Sequence, residues 1–108
     1  MATPKPGRPV RGSTTGRPIM AALDLVSRRW ALGVVWQLSD GPLGFLRLQE
    51  ACDGVSPSVL TTRLKELAEA RIVTTDADGR YVLTDRGAAL RAALEPLKEW
   101  SESWDAAL

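Results

Sequence analysis

From Ile19 onward apolar side chains return at helical intervals, and the interruptions divide the chain into elements. Ile19, Leu23, Val26 and Trp30 are separated by steps of four, three and four and start just after Pro18, which predicts an amphipathic first helix. Trp30 to Leu38 is apolar almost all round, the pattern of a central buried helix, and it stops at the consecutive breakers Ser39, Asp40, Gly41 and Pro42. Phe45, Leu48, Ala51 and Cys52 fall at helical spacing and predict a third helix of about two turns, closed by Asp53-Gly54. Ser56 as N-cap and Pro57 as first helical residue open a fourth helix, running to about Ala70, with Leu60, Leu64, Leu67 and Ala68 on one face.

The rhythm then changes. Ile72 to Thr75 and Tyr81 to Thr84 are short β-branched or aromatic runs around Asp76-Ala77-Asp78-Gly79-Arg80, which predicts a hairpin. Beyond Gly87, Leu90, Leu94, Leu97, Ser101, Trp104 and Leu108 alternate steps of four and three, a heptad-like seam on a fifth helix. Pro96 interrupts that helix, removes the hydrogen bond to the Ala92 carbonyl and predicts a kink or break near Glu95. The fold class is mainly α with one small β-hairpin.

Composition narrows the chemistry. With 108 residues, the chain holds one domain, and a domain of this size buries only roughly 65% of its unfolded surface. A partner subunit is the expected way to complete the core. There is no His, so the usual neutral-pH general base, His metal ligands and Ser-His-Asp or Cys-His pairs are all missing. No phosphate-binding glycine loop or metal-ligand cluster replaces them, so neither an enzyme, a cofactor nor a metal is expected. The single Cys allows no intrachain disulfide. The first 30 residues lack a secretion signal and no apolar run approaches membrane length, which predicts a cytoplasmic protein.

The net charge of +1 conceals an asymmetry: residues 1–17 carry +4, residues 18–71 are neutral, and residues 72–108 carry −3. Residues 1–18 hold four prolines and three glycines with almost nothing apolar, and are read as a flexible basic arm preceding a domain over 19–108. Gly7-Arg8-Pro9 and Gly16-Arg17-Pro18 each resemble the centre of an AT-hook but lack the preceding Arg.

Two short helices joined by the turn Asp53-Gly54-Val55, followed at once by a hairpin, form a helix-turn-helix with a wing. Such a unit sets its second helix, here Ser56–Ala70, in the major groove of double-stranded DNA. With Leu64 at the centre of the buried face, Ser58, Thr62, Lys65 and Glu69 point outward and Thr61 flanks them. The candidate DNA-binding residues are Ser56, Ser58, Thr61, Thr62, Arg63 and Lys65, with Arg47 on the preceding helix and Arg80 on the wing. Arg63 and Lys65 also flank Glu66 and Glu69 at the spacing of weak intrahelical pairs. Among the four tryptophans, Trp30 and Trp36 are expected in the core, whereas Trp100 and Trp104 share an apolar face suited to a subunit contact.

Residues 17–104 resemble the HxlR-type winged helix-turn-helix regulators of transcription, which are MarR-like. The matching stretches are Arg17-Pro18 through Arg29-Trp30, Gly41-Pro42 with Phe45, Ser56-Pro57 to Leu67, and Tyr81 to Gly87. The resemblance implies a homodimeric DNA-binding regulator whose first and last helices build the interface, here through Ile19, Leu23, Leu94, Leu97, Trp100 and Trp104. Three features depart from the family pattern. Arg17 stands where many members carry a Cys used in sensing, and the only thiol, Cys52, lies on an apolar stripe. Arg71 replaces the usual Gly after the recognition helix. The short wing carries Asp76 and Asp78, which repel phosphate. The alternative reading is a winged-helix module that holds a protein instead of DNA, and a small-molecule effector of unknown identity would have room between subunits near Trp100.

Overall fold

The computed structural model describes residues 3–108. Its elements follow the predicted order: α1 (Pro18–Ser27), α2 (Ala31–Gln37) with a closing 3-10 turn over Leu38–Asp40, α3 (Phe45–Ala51), α4 (Pro57–Glu69), strands β1 (Val73–Thr75) and β2 (Tyr81–Leu83), and α5 (Asp85–Ala107). This is a winged helix-turn-helix. The core lies where α2, α3 and α4 meet under the hairpin, and Val34, Val35, Leu48, Leu60 and Leu67 are its most deeply buried large side chains.

The hairpin pairs Val73 with Leu83, Thr74 with Val82 and Thr75 with Tyr81. Its tip is a tight turn in which the Gly79 N–H donates to the Asp76 carbonyl, with Gly79 at φ 77°, a conformation that suits glycine. Leu43 adds a one-residue third strand, exchanging N–H and carbonyl bonds of 3.1 and 2.8 Å with Tyr81. A single bridging residue leaves no alternation for a sequence pattern to register.

The end of α4 corrects one expectation. Although Arg71 replaces glycine, it adopts φ 62° and closes the helix in the left-handed manner. The Ile72 N–H reaches the Leu67 carbonyl at 2.8 Å and the Arg71 N–H the Ala68 carbonyl at 3.0 Å, the two bonds of a Schellman cap. The cap is therefore present without its usual residue. Thr84 then ties this corner to α5: its hydroxyl donates to the Arg71 carbonyl at 2.6 Å and accepts the Gly87 N–H at 3.0 Å. That cap starts α5 at Asp85, ahead of the apolar seam, which begins at Leu90. Gly87 lies so close to the strand that a Cβ would fall 2.1 Å from the Ile72 carbonyl oxygen, so only glycine fits.

Helix α5 runs unbroken through Pro96. Ala92 and Pro96 are both exposed, so the carbonyl that the ring leaves without its donor belongs to a residue open to solvent rather than one sealed in the core. In α1 the apolar stripe divides: Ala21 and Leu25 are buried beside Asp24, Ile19 and Leu23 stay exposed, and Trp30 leaves the helix to form the corner before α2 at φ 73°.

Helix α4 is rotated relative to the sequence pattern. Leu60, Leu64 and Leu67 are buried as expected, but Ala68 is exposed and Glu66 is buried. The cause is an ion chain. Arg28 at the end of α1 pairs with Asp24 one turn earlier, at 3.6 Å, and with Glu66 of α4; Arg63 reaches the other Glu66 oxygen at 2.7 Å, and its Nε donates to the Arg29 carbonyl at 2.7 Å. Asp24, Arg28 and Glu66 are all buried, so this is no surface pairing.

The same chain anchors residues of the basic arm. Arg11 sits 3.3 Å from Asp24 and donates to the Ser27 hydroxyl at 2.8 Å, while the Thr3 hydroxyl donates to Glu69 at 2.6 Å and Pro4 is buried. The arm segment thus lies back across α1 and the end of α4, held by polar contacts that a count of apolar residues does not reveal.

Two substitutions test these joints. Arg71→Gly relieves a left-handed non-glycine residue and should raise unfolding free energy by about 1 kcal/mol, read as an upward shift in thermal midpoint. Glu66→Ala strands the arginines of the buried chain and should lower it by about 3 kcal/mol in urea titration, far beyond the few tenths of an exposed helical pair.

Candidate nucleic-acid interface

The helix-turn-helix is built from α3, a left-handed corner and α4. Asp53 (φ 44°) and Gly54 (φ 89°) turn the chain in two residues, and the buried Val55 side chain plugs the corner while its carbonyl accepts from the Gln49 amide at 3.2 Å. Ser56 then caps α4 as its spacing predicts: Oγ accepts the Val59 N–H at 3.3 Å, and Pro57 occupies the first helical turn without an orphaned donor.

The edge of α4 that carries Ser56, Ser58, Thr61, Thr62 and Lys65 is exposed among the described residues. Ser56 and Ser58 hydroxyls lie 3.4 Å apart at the helix start, beside N–H groups that favour an anion. The Thr62 hydroxyl donates to the Ser58 carbonyl at 3.0 Å, which leaves its oxygen lone pairs and methyl group facing outward. Lys65 makes no ion pair among the described residues, so its ammonium is available to a phosphate or a base edge. Arg47 is exposed on α3 and likewise makes no ion pair there.

Two nominated arginines are occupied. Arg63 points back towards α1, its guanidinium bound to Glu66 and the Arg29 carbonyl, so it fixes the helix rather than facing outward. Arg80 lies 3.3 Å from Asp76 and 3.4 Å from Asp78, so the wing's only cation is matched by the acids of its own tip. Burial pushes the Asp76 carboxyl up, but N–H donation from Arg80 and Asp78 and the Arg80 charge outweigh it and hold the group below its ordinary range. The tip is therefore a closed polar unit with a residual negative charge.

The proposed subunit residues lie on α1 and α5. Ile19 and Leu23 of α1 and Leu97, Trp100 and Trp104 of α5 are all exposed, and Leu94 is half-buried. The Trp100 and Trp104 rings stack with centroids 5.4 Å apart. Trp30 packs against the core, whereas Trp36 is half-buried outside that cluster, with the Arg91 guanidinium over its ring at 3.8 Å. Cys52 is buried in the core, and that burial pushes its thiol pKa up, away from the reactive thiolate. No helix among the described residues is long and apolar enough to cross a membrane.

This architecture has well-defined relatives. Residues 25–107 match the HxlR-like helix-turn-helix family. The HTH-type transcriptional regulator YodB of Bacillus subtilis is 30% identical over 99 residues, covering 86% of this chain and 88% of its own. The regulator YvaP of the same organism is 35% identical over 89 residues, covering 77% and 82%. The crystal structure of quinone-bound YodB superposes with a TM-score of 0.75 at 32% identity, over 79% of this chain and 96% of that one. A MarR-family protein from Enterococcus faecalis gives 0.76 at 28% identity, over 90% and 94%. A match through both HTH helices, wing and α5, combined with these relatives, places the chain in the HxlR-like helix-turn-helix family of transcriptional regulators.

Proposed function

We propose that the chain acts as a homodimer that recognises a specific sequence in double-stranded DNA, each subunit inserting α4 into the major groove. The observation that carries this reading is the uncovered outer edge of α4, where hydroxyls and one free ammonium stand on a helix whose opposite face is locked into the core. Ser58, Thr61 and Thr62 supply base and sugar contacts, Lys65 and Arg47 reach phosphates, and Ser56 with the helix start offers a further anion contact. Arg63 serves by orienting α4. With Arg80 neutralised, the wing contributes shape more than charge. A twofold dimer presents two such helices about 34 Å apart, one helical turn of DNA, and therefore reads a pseudo-palindrome.

The second surface supports the dimer. Ile19 (60% exposed), Leu23 (51%), Leu97 (56%), Trp100 (58%) and Trp104 (52%) are too many large apolar groups for a small monomer to leave in water. They lie on the first and last helices, which leaves the face of α4 open for DNA. YodB is seen with quinone bound. The present chain offers a thiol-reactive signal no exposed thiolate, since its one Cys is in the core and Arg17 precedes α1. Any effector is therefore expected to act through non-covalent contacts, with the space between subunits beside Trp100 as its place.

Selection of bound fragments from random duplex DNA should yield one pseudo-palindromic sequence; a chain that enriches none is an interaction module for proteins instead. In binding titrations Lys65→Ala should weaken selected and unrelated duplexes alike, whereas Thr62→Ala and Ser58→Ala should change the preferred bases by about 1–3 kcal/mol at the affected position. Light scattering of the wild-type chain should give twice its 11.7 kDa mass, and Leu97→Asp with Trp104→Asp should return the monomer.

A further inference from the structure

A cleft of about 430 Å³ opens beside the outer edge of α4, and the recognition-helix reading uses only Thr62 and Arg63 of its lining. One wall is α4 itself, from the exposed Thr62 to Arg63 and Glu66; the other is the end of α1 at Ser27–Arg29, and Arg11 of the arm closes one side. Four guanidinium groups meet here against the two carboxylates of Asp24 and Glu66, which leaves a surplus of two positive charges. The buried chain accounts for the inner part of the set. Arg28 and Arg63 bind Glu66, and Arg11 leans on Asp24 with its side chain still 54% exposed.

Arg29 differs from these three. The left-handed corner at Trp30 sends Arg28 into the protein and Arg29 out of it. Its carbonyl is fixed by the Arg63 Nε, and its guanidinium lies 5.4 Å from the Trp30 ring centroid, with no carboxylate partner among the described residues. An exposed guanidinium held over an aromatic ring, on a pinned backbone and without a carboxylate partner among the described residues, has N–H donors to offer, the chemistry that suits a phosphodiester oxygen.

We propose that this cleft grips a DNA backbone phosphate beside the groove that α4 occupies, with Arg29 as the contacting cation and Arg11 as its support from the arm. The inference rests on α4 being the DNA-reading helix, because Thr62 borders both surfaces. It gives the buried ion chain a second consequence: the contacts that set the angle of α4 also set the distance between its reading edge and the phosphate cation. The contact carries no base information, so it fixes register and affinity and leaves sequence choice to Ser58, Thr61 and Thr62.

The test uses the full-length chain and duplexes recovered by selection, alongside a scrambled duplex, titrated over a series of salt concentrations. Arg29→Gln keeps the carbonyl that holds Arg63 and lies outside the ion chain, so its helical circular dichroism should match wild type. It should weaken both duplexes by roughly tenfold and reduce the slope of log affinity against log salt by about 0.9, the loss of one phosphate contact, and Arg29→Lys should restore the slope. Arg11→Gln should move affinity in the same direction by a smaller factor. The proposal is overturned if Arg29→Gln leaves affinity and slope unchanged while Thr62→Ala still alters base preference. Inorganic phosphate titrated into the DNA-free chain separates the two sources of this chemistry: binding that Arg29→Gln abolishes without weakening DNA makes the cleft a free-oxyanion site and also overturns it. A wild-type chain that selects no duplex fails the α4 reading itself, and the cleft proposal falls with it.

Discussion

The orientation of α4 depends on a charge chain withdrawn from water. Asp24 and Arg28 on α1 and Glu66 and Arg63 on α4 form a linear array in which each group is paired, and the Arg29 carbonyl accepts from the Arg63 Nε. Apolar packing alone tolerates small rotations of a helix, because dispersion contacts have no direction. Charged groups in a poorly solvated site do not, since turning Glu66 away would leave arginines without an anion. The array therefore rotates α4 from the angle that its leucines favour, exposing Ala68 and burying Glu66, while Ser58, Thr62 and Lys65 stay outward.

Around that joint, polar devices hold the remaining elements in place. The left-handed Arg71 ends α4 with a Schellman cap, and the Thr84 hydroxyl links the same carbonyl to the first turn of α5. Gly87 admits the strand at a distance that no side chain permits. The hairpin tip folds its charges onto each other through Asp76, Asp78 and Arg80. The outer half of α5 has no comparable tether: its C-terminal residues are exposed, and its two stacked tryptophans lie on an apolar strip with Leu97 and Leu108. One small core leaves that strip uncovered, and this is why the proposed dimer is built on the first and last helices.

Much of this was legible in the residue order because it rests on local physics. Helical periodicity, Ser56-Pro57 and the Asp53-Gly54 turn located α3 and α4, and the short β-branched runs around Asp78-Gly79 located the hairpin, since these signals act within a few residues. The hydroxyls on the outer edge of α4 followed from the 100° step of a helix. The start of α5 was less legible because Thr84 caps it from outside the apolar seam, and the bridge at Leu43 was invisible because it spans one residue.

Which charges reach solvent was a different kind of question. Arg63, Lys65, Arg47 and Arg80 look alike in a sequence, as do Arg28 and Arg29, yet Arg63 and Arg28 turn inward, Arg80 folds onto its own turn, and Lys65, Arg47 and Arg29 face out. Sequence alone determined the order of elements, the cap of α4 and the family pattern, because hydrogen bonding and apolar spacing act between near neighbours. Tertiary structure decided the sorting of arginines, the rotation of α4 and the seat of the arm. Those depend on which carboxylate lies within a few ångströms after residues 38 positions apart, such as Arg28 and Glu66, have been brought together.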